Sequence, residues 1–180
     1  PGMHNRLNAA CALAVAKHEK LDMETAAEAL TNFAGTWRRF EYKGEINGAI
    51  VYDDYGHHPT AIEATVSGAR ELYPEKRIVL VFEPHTYTRT AALFDDFAKV
   101  FATADEVILL PIYAARNEDP HGVTSRELAV KALEYNDRVA FIKSYDEVVM
   151  RLTGTLSDQD VVLIMGAGPV VNLTKSLLSK

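Results

Sequence analysis

Cysteine is nearly absent: Cys11 stands alone in 180 residues. A single thiol makes no internal disulfide and anchors no thiolate metal cluster, and its place in an Ala-rich helical pattern marks it as a buried structural thiol. Long apolar runs are missing as well. None approaches the roughly 18 residues that a membrane span requires, and no leader-like N-terminus precedes the first helix, so we expect a soluble cytoplasmic protein with no membrane partner. Basic charge is short too, with Lys and Arg numbering 19 against 25 Asp and Glu. The net charge of −6 and the lack of any basic stripe argue against a nucleic-acid partner. No Gly-x-x-x-x-Gly-Lys-[Ser/Thr] phosphate loop occurs, which excludes triphosphate binding by that device. A start methionine is also missing: the chain opens Pro1-Gly2-Met3, and we expect a piece of a longer protein.

What is present is an alternation of apolar runs and amphipathic segments. With 48% hydrophobic residues, the length suits one compact domain, or one domain with a fragment of another. Asn5 to about His18 is rich in Ala, Leu and Val, and Leu7, Ala10, Leu13, Ala14 and Val15 predict a mostly buried helix. Asp22 then reads as the N-cap of a second helix with Ala26, Ala29, Leu30 and Phe33 at helical spacing, stopped by Gly35. A short strand over Phe40–Lys43 leads to turns at Gly44 and Gly48. Two helices and an extended tail bury too little surface to fold alone, so they are assigned to a separate domain.

From Ala49 onward the spacing predicts strands at about 49–54, 77–82, 106–111, 139–142 and 160–165, with helices at about 60–73, 90–102, 124–135, 144–153 and 169–179. Thr124 with Glu127 and Ser144 with Glu147 have the spacing of capping boxes. Continuous apolar strands such as Val161-Val-Leu-Ile-Met165 imply a parallel sheet covered on both faces. The fold class is therefore α/β: a Rossmann-like, mostly parallel sheet with helices on both faces, preceded by two helices.

The unusual polar clusters all fall at the carboxyl ends of predicted strands, the edge where open α/β sheets hold ligands. Asp53-Asp-Tyr-Gly-His-His58 follows one strand, Glu83-Pro-His-Thr-Tyr-Thr-Arg-Thr90 the next, Pro111-Ile-Tyr-Ala-Ala-Arg116 the third and Gly166-Ala-Gly168 the last. Asp53, Asp54, His57, His58 and His85 admit three readings: turn capping and backbone binding, a ligand or catalytic site, or a metal site. Arg89, close to a helix start, can grip a carboxylate or phosphate, or pair on the surface with Asp95 or Asp96. Gly166-Ala-Gly168 begins like a dinucleotide fingerprint, but Val171 stands where the third Gly or Ala belongs, and tight packing accounts for the glycines.

Taken in order, Pro1-Gly-Met-His-Asn-Arg-Leu-Asn-Ala9, Gly35-Thr-Trp-Arg-Arg-Phe40, Asp53-Asp-Tyr-Gly-His-His-Pro-Thr60, Glu83-Pro-His-Thr-Tyr-Thr-Arg-Thr90 and Ile112-Tyr-Ala-Ala-Arg116 resemble the C-terminal part of the Mur ligase family of peptidoglycan synthesis. The likeness runs through essentially the whole chain. It is nearest to the branch that joins L-alanine to UDP-N-acetylmuramate. The branch that recycles murein tripeptide shares a similar Asp-Asp-x-x-His-His-Pro turn, with a different segment expected where Pro84–Thr90 stands. The resemblance implies a three-domain enzyme in which ATP, with Mg2+, phosphorylates the muramyl carboxylate and the amine of L-alanine attacks the acyl phosphate. Residues 1–40 would end the central ATP-binding domain and 41–180 would form the C-terminal domain. The phosphate loop, the main Mg2+ ligands and the uridine-binding domain would lie upstream, in domains of the same protein that serve as partners of this piece.

Residue by residue, the resemblance implies that Asn5 and Asn8 read adenine, supported by His4. Arg39 would reach the nucleotide and Asp54 the ribose. Tyr55 and His57 would stand near the alanine and the acyl group, and Arg89 would anchor the incoming amino acid's carboxylate or the muramyl end. No residue is assigned to a metal. Two positions depart from the family pattern: Thr86 stands where some members carry an arginine, and Ala61 where many carry a glutamate. The first would leave Arg89 with more of the anion, or require help from Arg116. The residues alone also admit a metal-dependent hydrolase built on Asp54, His57 and His85, or a non-catalytic module that binds a small anion or nucleotide.

Overall fold

The computed structural model describes residues 2–115 and 122–179. Helix α1 (Met3–His18) and helix α2 (Met23–Thr31) come first, and Asp22 caps α2 by accepting the Thr25 N–H at 2.8 Å. Both lie largely in solvent. Ala16 is the one buried residue among those described in α1, Leu7 and Val15 are 60% and 62% exposed, and Cys11 is exposed. The expectations of a mostly buried first helix and a buried thiol are thus overturned. A helix this apolar invites cover on several sides, but within the chain its packing partners are α2 and the next helix along. Helix α2 stops at Thr31, ahead of Gly35, and leaves Phe33 outside it and exposed.

Strand β1 (Glu41–Ile46) turns into strand β2 (Ala49–Asp54) through Asn47-Gly48, whose φ values of 51° and 80° make a two-residue turn that suits the right-handed twist of a hairpin. Gly44 is not a turn: it lies inside β1, where the register with β2 shifts by a bulge. Next come α3 (Pro59–Leu72), β3 (Arg77–Phe82), α4 (Tyr87–Ala92), α5 (Phe94–Val100), β4 (Glu106–Leu109), α6 (Ser125–Ala132), β5 (Val139–Phe141), α7 (Tyr145–Thr155), β6 (Asp160–Met165) and α8 (Val171–Leu178). The single helix predicted over 90–102 is broken at Leu93, whose φ of −116° and ψ of 23° leave the helical region. Thr124 and Glu127 form the expected capping box. Ser144 forms half of one, accepting the Glu147 N–H at 3.3 Å, while the Glu147 carboxylate turns 3.8 Å from Lys143.

The sheet order is β1-β2-β6-β3-β4-β5, and every pair is parallel except β1 with β2. One face packs Ile62, Val66, Phe97, Phe101 and Leu128 against Leu80, Phe82 and Leu163. The other packs Val148, Leu152, Leu173 and Leu177 against Val51, Val81, Val162 and Ile164. Each fully buried side chain of this size contributes roughly 1.5–3 kcal/mol, so the two layers make β6 and its neighbours β2 and β3 the rigid centre. The mostly parallel sheet with helices on both faces is the predicted fold class.

The two edges of the sheet differ in chemistry. At the edge where β3, β4 and β6 begin, Arg77 Nε lies 2.7 Å from Asp160, Arg77 Nη1 3.3 Å from Glu106, and Arg151 2.8 Å from the other Glu106 oxygen. Those carboxylates are fully partnered, as burial requires. At the opposite edge, the chain leaving β3 crosses to β4, whereas the chain leaving β6 carries α8 back over β1 and β2. Divergence of that kind opens a crevice between strand ends.

Candidate functional site

The crowded turn after β2 is sorted by its surroundings. Asp53 is fully buried, pairing with Arg38 Nε at 2.7 Å and accepting from Thr174 Oγ at 3.2 Å. Asp54 accepts the backbone N–H of Phe40 at 2.8 Å on one oxygen and that of Gly56 at 2.6 Å on the other. Burial raises its pKa, against the pull of those two amides and of Arg39. His58 caps α3 by accepting the Thr60 N–H at 3.4 Å, with Pro59 at the first helical position. His57 is half-buried, its Nδ1 2.9 Å from the Tyr55 carbonyl. Capping accounts for His58 and backbone binding engages both oxygens of Asp54, while His57 meets the backbone through Nδ1 alone. Among the described residues no group of three or more His, Cys, Asp or Glu is arranged to hold a metal. Asp54, His57 and His85 thus do not form the metal centre that a hydrolase reading needs.

The structure gathers the sequence-picked residues on two adjoining sides. His4, Asn5, Asn8, Arg39 and Asp54 line one cleft of about 540 Å³ with Phe40, Thr60 and Ala61, between α1 and the start of α3. Residues far apart in the chain meet there where α1 lies beside α3, with Arg6 of α1 bonded to Glu71 of α3 across the contact. The volume is in the range of small-molecule sites, and the walls offer amides, a guanidinium and a carboxylate.

Beyond the cleft runs a row of rings. Arg39 stacks over Tyr55 at 5.5 Å, Tyr55 meets His57 edge-on at 5.5 Å, His57 lies 5.8 Å from His85, and His85 lies 5.8 Å from Tyr113. His85 and Tyr113 meet because the segments after β3 and β4 stay parallel past the strands and bridge once more at that pair. Arg89 sits in the first turn of α4, where its Nη1 donates to the His85 carbonyl at 2.5 Å and lies 3.2 Å from the His85 ring nitrogen. It makes no ion pair among the described residues, so the surface pairing with Asp95 or Asp96 is not found. Arg116 lies outside the described residues.

Two residues escaped the sequence reading. Arg38, 3% exposed, is the buried partner of Asp53, and its other guanidinium nitrogens donate to the Gly166 carbonyl at 2.5 Å and the Gly168 carbonyl at 3.3 Å. Glu83, 5% exposed, stands in the crevice between the ends of β3 and β6. One of its oxygens accepts from the Tyr145 hydroxyl at 2.5 Å, and the other is buried without a hydrogen-bond partner among the described residues. Burial raises its pKa, opposed by Tyr145, the Val170 N–H and the Arg38 charge. Glu83 carried a signal in its own motif, an acidic residue closing an apolar strand; Arg38 carried none that separates it from Arg39.

Residues 38–168 match the family described as Mur ligase, glutamate ligase domain. The chain belongs to the Mur ligase family. A UDP-N-acetylmuramate–L-alanine ligase of Agathobacter rectalis is 42% identical over 180 residues, which is all of this chain and 39% of that protein. The enzyme of the same name from Desulforapulum autotrophicum is 44% identical over 178 residues, 98% of this chain and 39% of that one. Among solved structures, the UDP-N-acetylmuramate–alanine ligase of Thermotoga maritima superposes with a TM-score of 0.84 at 26% identity, over 99% of this chain and 38% of that one. A murein peptide ligase from Psychrobacter arcticus gives 0.71 at 28% identity, over 99% and 37%. This Mur ligase chain thus spans about two fifths of the length of the relatives it matches.

Proposed function

We propose that the chain is the C-terminal part of an ATP-dependent ligase that joins L-alanine to the carboxylate of UDP-N-acetylmuramate in the cytoplasm. The observation that carries this reading is the single cleft lined by His4, Asn5, Asn8, Arg39 and Asp54, opening onto the row from Tyr55 to Arg89. One side suits a nucleotide and the adjoining side an amino acid. Residues 1–40 end the central ATP-binding domain and 41–180 form the C-terminal domain.

Asn5 and Asn8 each offer a donor and an acceptor to the adenine edge, and three-residue spacing sets both on one helix face. His4 supports them from the adjacent position. The Arg39 guanidinium, unpaired with any carboxylate at ion-pair distance among the described residues, meets the nucleotide. Asp54 keeps a lone pair on each oxygen beyond its amide bonds and takes the ribose hydroxyls. On the other side Arg89 holds the alanine carboxylate, with Tyr55 and His57 beside the acyl group. Hydrogen-bonding of His57 Nδ1 to the Tyr55 carbonyl holds its ring with Nε2 free to meet substrate.

In the complete protein a muramyl carboxylate oxygen attacks the γ-phosphorus of ATP, giving ADP and an acyl phosphate. The neutral amine of L-alanine then attacks the acyl carbon, and the tetrahedral adduct expels phosphate while the nitrogen gives up one proton, carried off by phosphate or water, to leave the amide. The share of this chain is positioning: it holds the amine against the acyl carbon and keeps water out. By the family resemblance the main Mg2+ ligands lie upstream, and no step here runs through the metal.

The test is phosphate release by the complete protein with ATP, Mg2+ and UDP-N-acetylmuramate. Release that requires L-alanine, with a product heavier by one alanine residue, is the expected result. Release that requires murein tripeptide instead, or no acceptor-dependent release, overturns the reading.

A further inference from the structure

The segment Thr36–Phe40 holds two neighbouring arginines with opposite surroundings. Arg39 is exposed and lines the cleft; Arg38 is buried. The backbone makes the difference. Arg38 and Phe40 both adopt left-handed conformations, with φ of 54° and 47°, so the chain doubles back on each side of Arg39. Non-glycine residues resist that region, and they persist in it where surrounding bonds hold them. Around Arg38 those bonds are dense.

Its backbone N–H donates to Glu41 at 2.9 Å and its carbonyl accepts the Tyr55 N–H at 2.7 Å. Its guanidinium lies 5.2 Å from the centre of the Tyr55 ring. One nitrogen pairs with Asp53 and the other two donate to the carbonyls of Gly166 and Gly168, in the loop that leaves β6. A planar fork reaches these acceptors from three separate nitrogens, whereas an ammonium carries all its donors on one. That loop in turn leans on the acceptor side of the site. A Cβ at Gly168 would lie 2.5 Å from Glu83 Oε2 and 2.8 Å from the Tyr113 ring, and Tyr113 packs on His85.

We propose that Arg38 is a positioning residue for the amino-acid half of the site: it clamps the Gly166–Gly168 loop and Tyr55, and through them fixes Tyr113, His85 and Arg89. The proposal rests on the ligase reading above. It places the same five-residue segment in both halves, with Arg39 serving the nucleotide and Arg38 the acceptor.

The test is made in the complete ligase with R38K and G168A, measuring melting temperature, kcat, and the KM values for ATP and L-alanine. R38K keeps a cation for Asp53 and releases the loop carbonyls. Its KM for L-alanine should rise about tenfold or more, the equivalent of one lost charge-assisted hydrogen bond, with the KM for ATP within about twofold. G168A pushes the loop from the opposite side and should give the same split. An unchanged alanine KM in R38K overturns the proposal, as does a fall in kcat and melting temperature with neither KM moved. Should R38K not fold, G168A decides, and an unchanged alanine KM there overturns it. Wild-type protein without L-alanine-dependent phosphate release fails the ligase reading and this proposal together; wild-type release with an unmoved alanine KM in the variants fails this one alone.

Discussion

Asp54 and Glu83 are both carboxyls withdrawn from water, and burial raises the pKa of each, yet their partners differ. Asp54 has amides on both oxygens, whereas Glu83 has a hydroxyl on one and no hydrogen bond among the described residues on the other. In the unfolded chain Glu83 ionises near the ordinary glutamate value of about 4.3. In the fold it holds its proton to higher pH, so its contribution to stability is fully present below the ordinary value and is lost as pH rises through the folded value. Glu83→Gln keeps an acceptor for Tyr145 and cannot ionise. Melting curves from acid to neutral pH should therefore show the variant gaining on wild type by several degrees as pH rises; parallel curves would mean that Glu83 ionises as freely as in the unfolded chain. Arg89 presents a different case, because its guanidinium is held by the His85 carbonyl and keeps donors to spare. Charge-assisted bonds of roughly 1.5–3 kcal/mol predict that Arg89→Ala raises the KM for L-alanine by about tenfold to a hundredfold. The KM for ATP should move little, and unchanged alanine kinetics would remove Arg89 from the site.

At the scale of elements, much was legible because hydrophobic period and capping residues act locally. Strands β2, β3 and β6 are continuous apolar runs, and Asp22 and Thr124 announce their helices by capping chemistry. What escaped depends on φ angles and on packing across the fold. Nothing in Arg38-Arg39 says which arginine turns inward, since the left-handed residues that decide it are an arginine and a phenylalanine rather than glycines. The meeting of His85 with Tyr113 needs the strand register, which sequence spacing does not set. The two glycines of β1 and its turn illustrate the same limit: both look like turn residues, but only Gly48 is one. Its φ of 80° and a Cβ position 2.8 Å from the Asp158 Cβ leave no room for alanine. Gly48→Ala should destabilise the protein by about 1–3 kcal/mol, the cost of one strained backbone position, read as a lower melting temperature. Because the turn lies at the opposite end of β2 from Asp54, ligase KM values measured below the transition should stay as in wild type. A shifted KM for ATP would mean that strain at the hairpin reaches the cleft.

On the scale of the whole molecule, the chain is two regions of unlike cohesion. Its sheet carries two buried layers, while α1, α2 and the segment after them leave Leu7, Val15, Phe33 and Trp37 exposed at 60%, 62%, 62% and 71%. The sequence made α1 look buried because its composition suits a helix that is covered on several sides; among the described residues its main cover comes from α2 and α3. In the ligase reading the missing cover is the rest of the central domain, and the nucleotide cleft has one wall from each region. Local stability follows buried contacts, so amides of α1 and α2 should exchange with solvent far faster than those of β3 and β6 in the 180-residue chain. In the complete protein the same two helices should slow by orders of magnitude, because their apolar faces are then buried. Hydrogen exchange followed by mass spectrometry on both forms makes the comparison directly. Equal exchange of α1 in the two forms would mean that its exposed leucine and valine face solvent in the whole enzyme, and that the cleft wall carrying Asn5 and Asn8 is no firmer there than here.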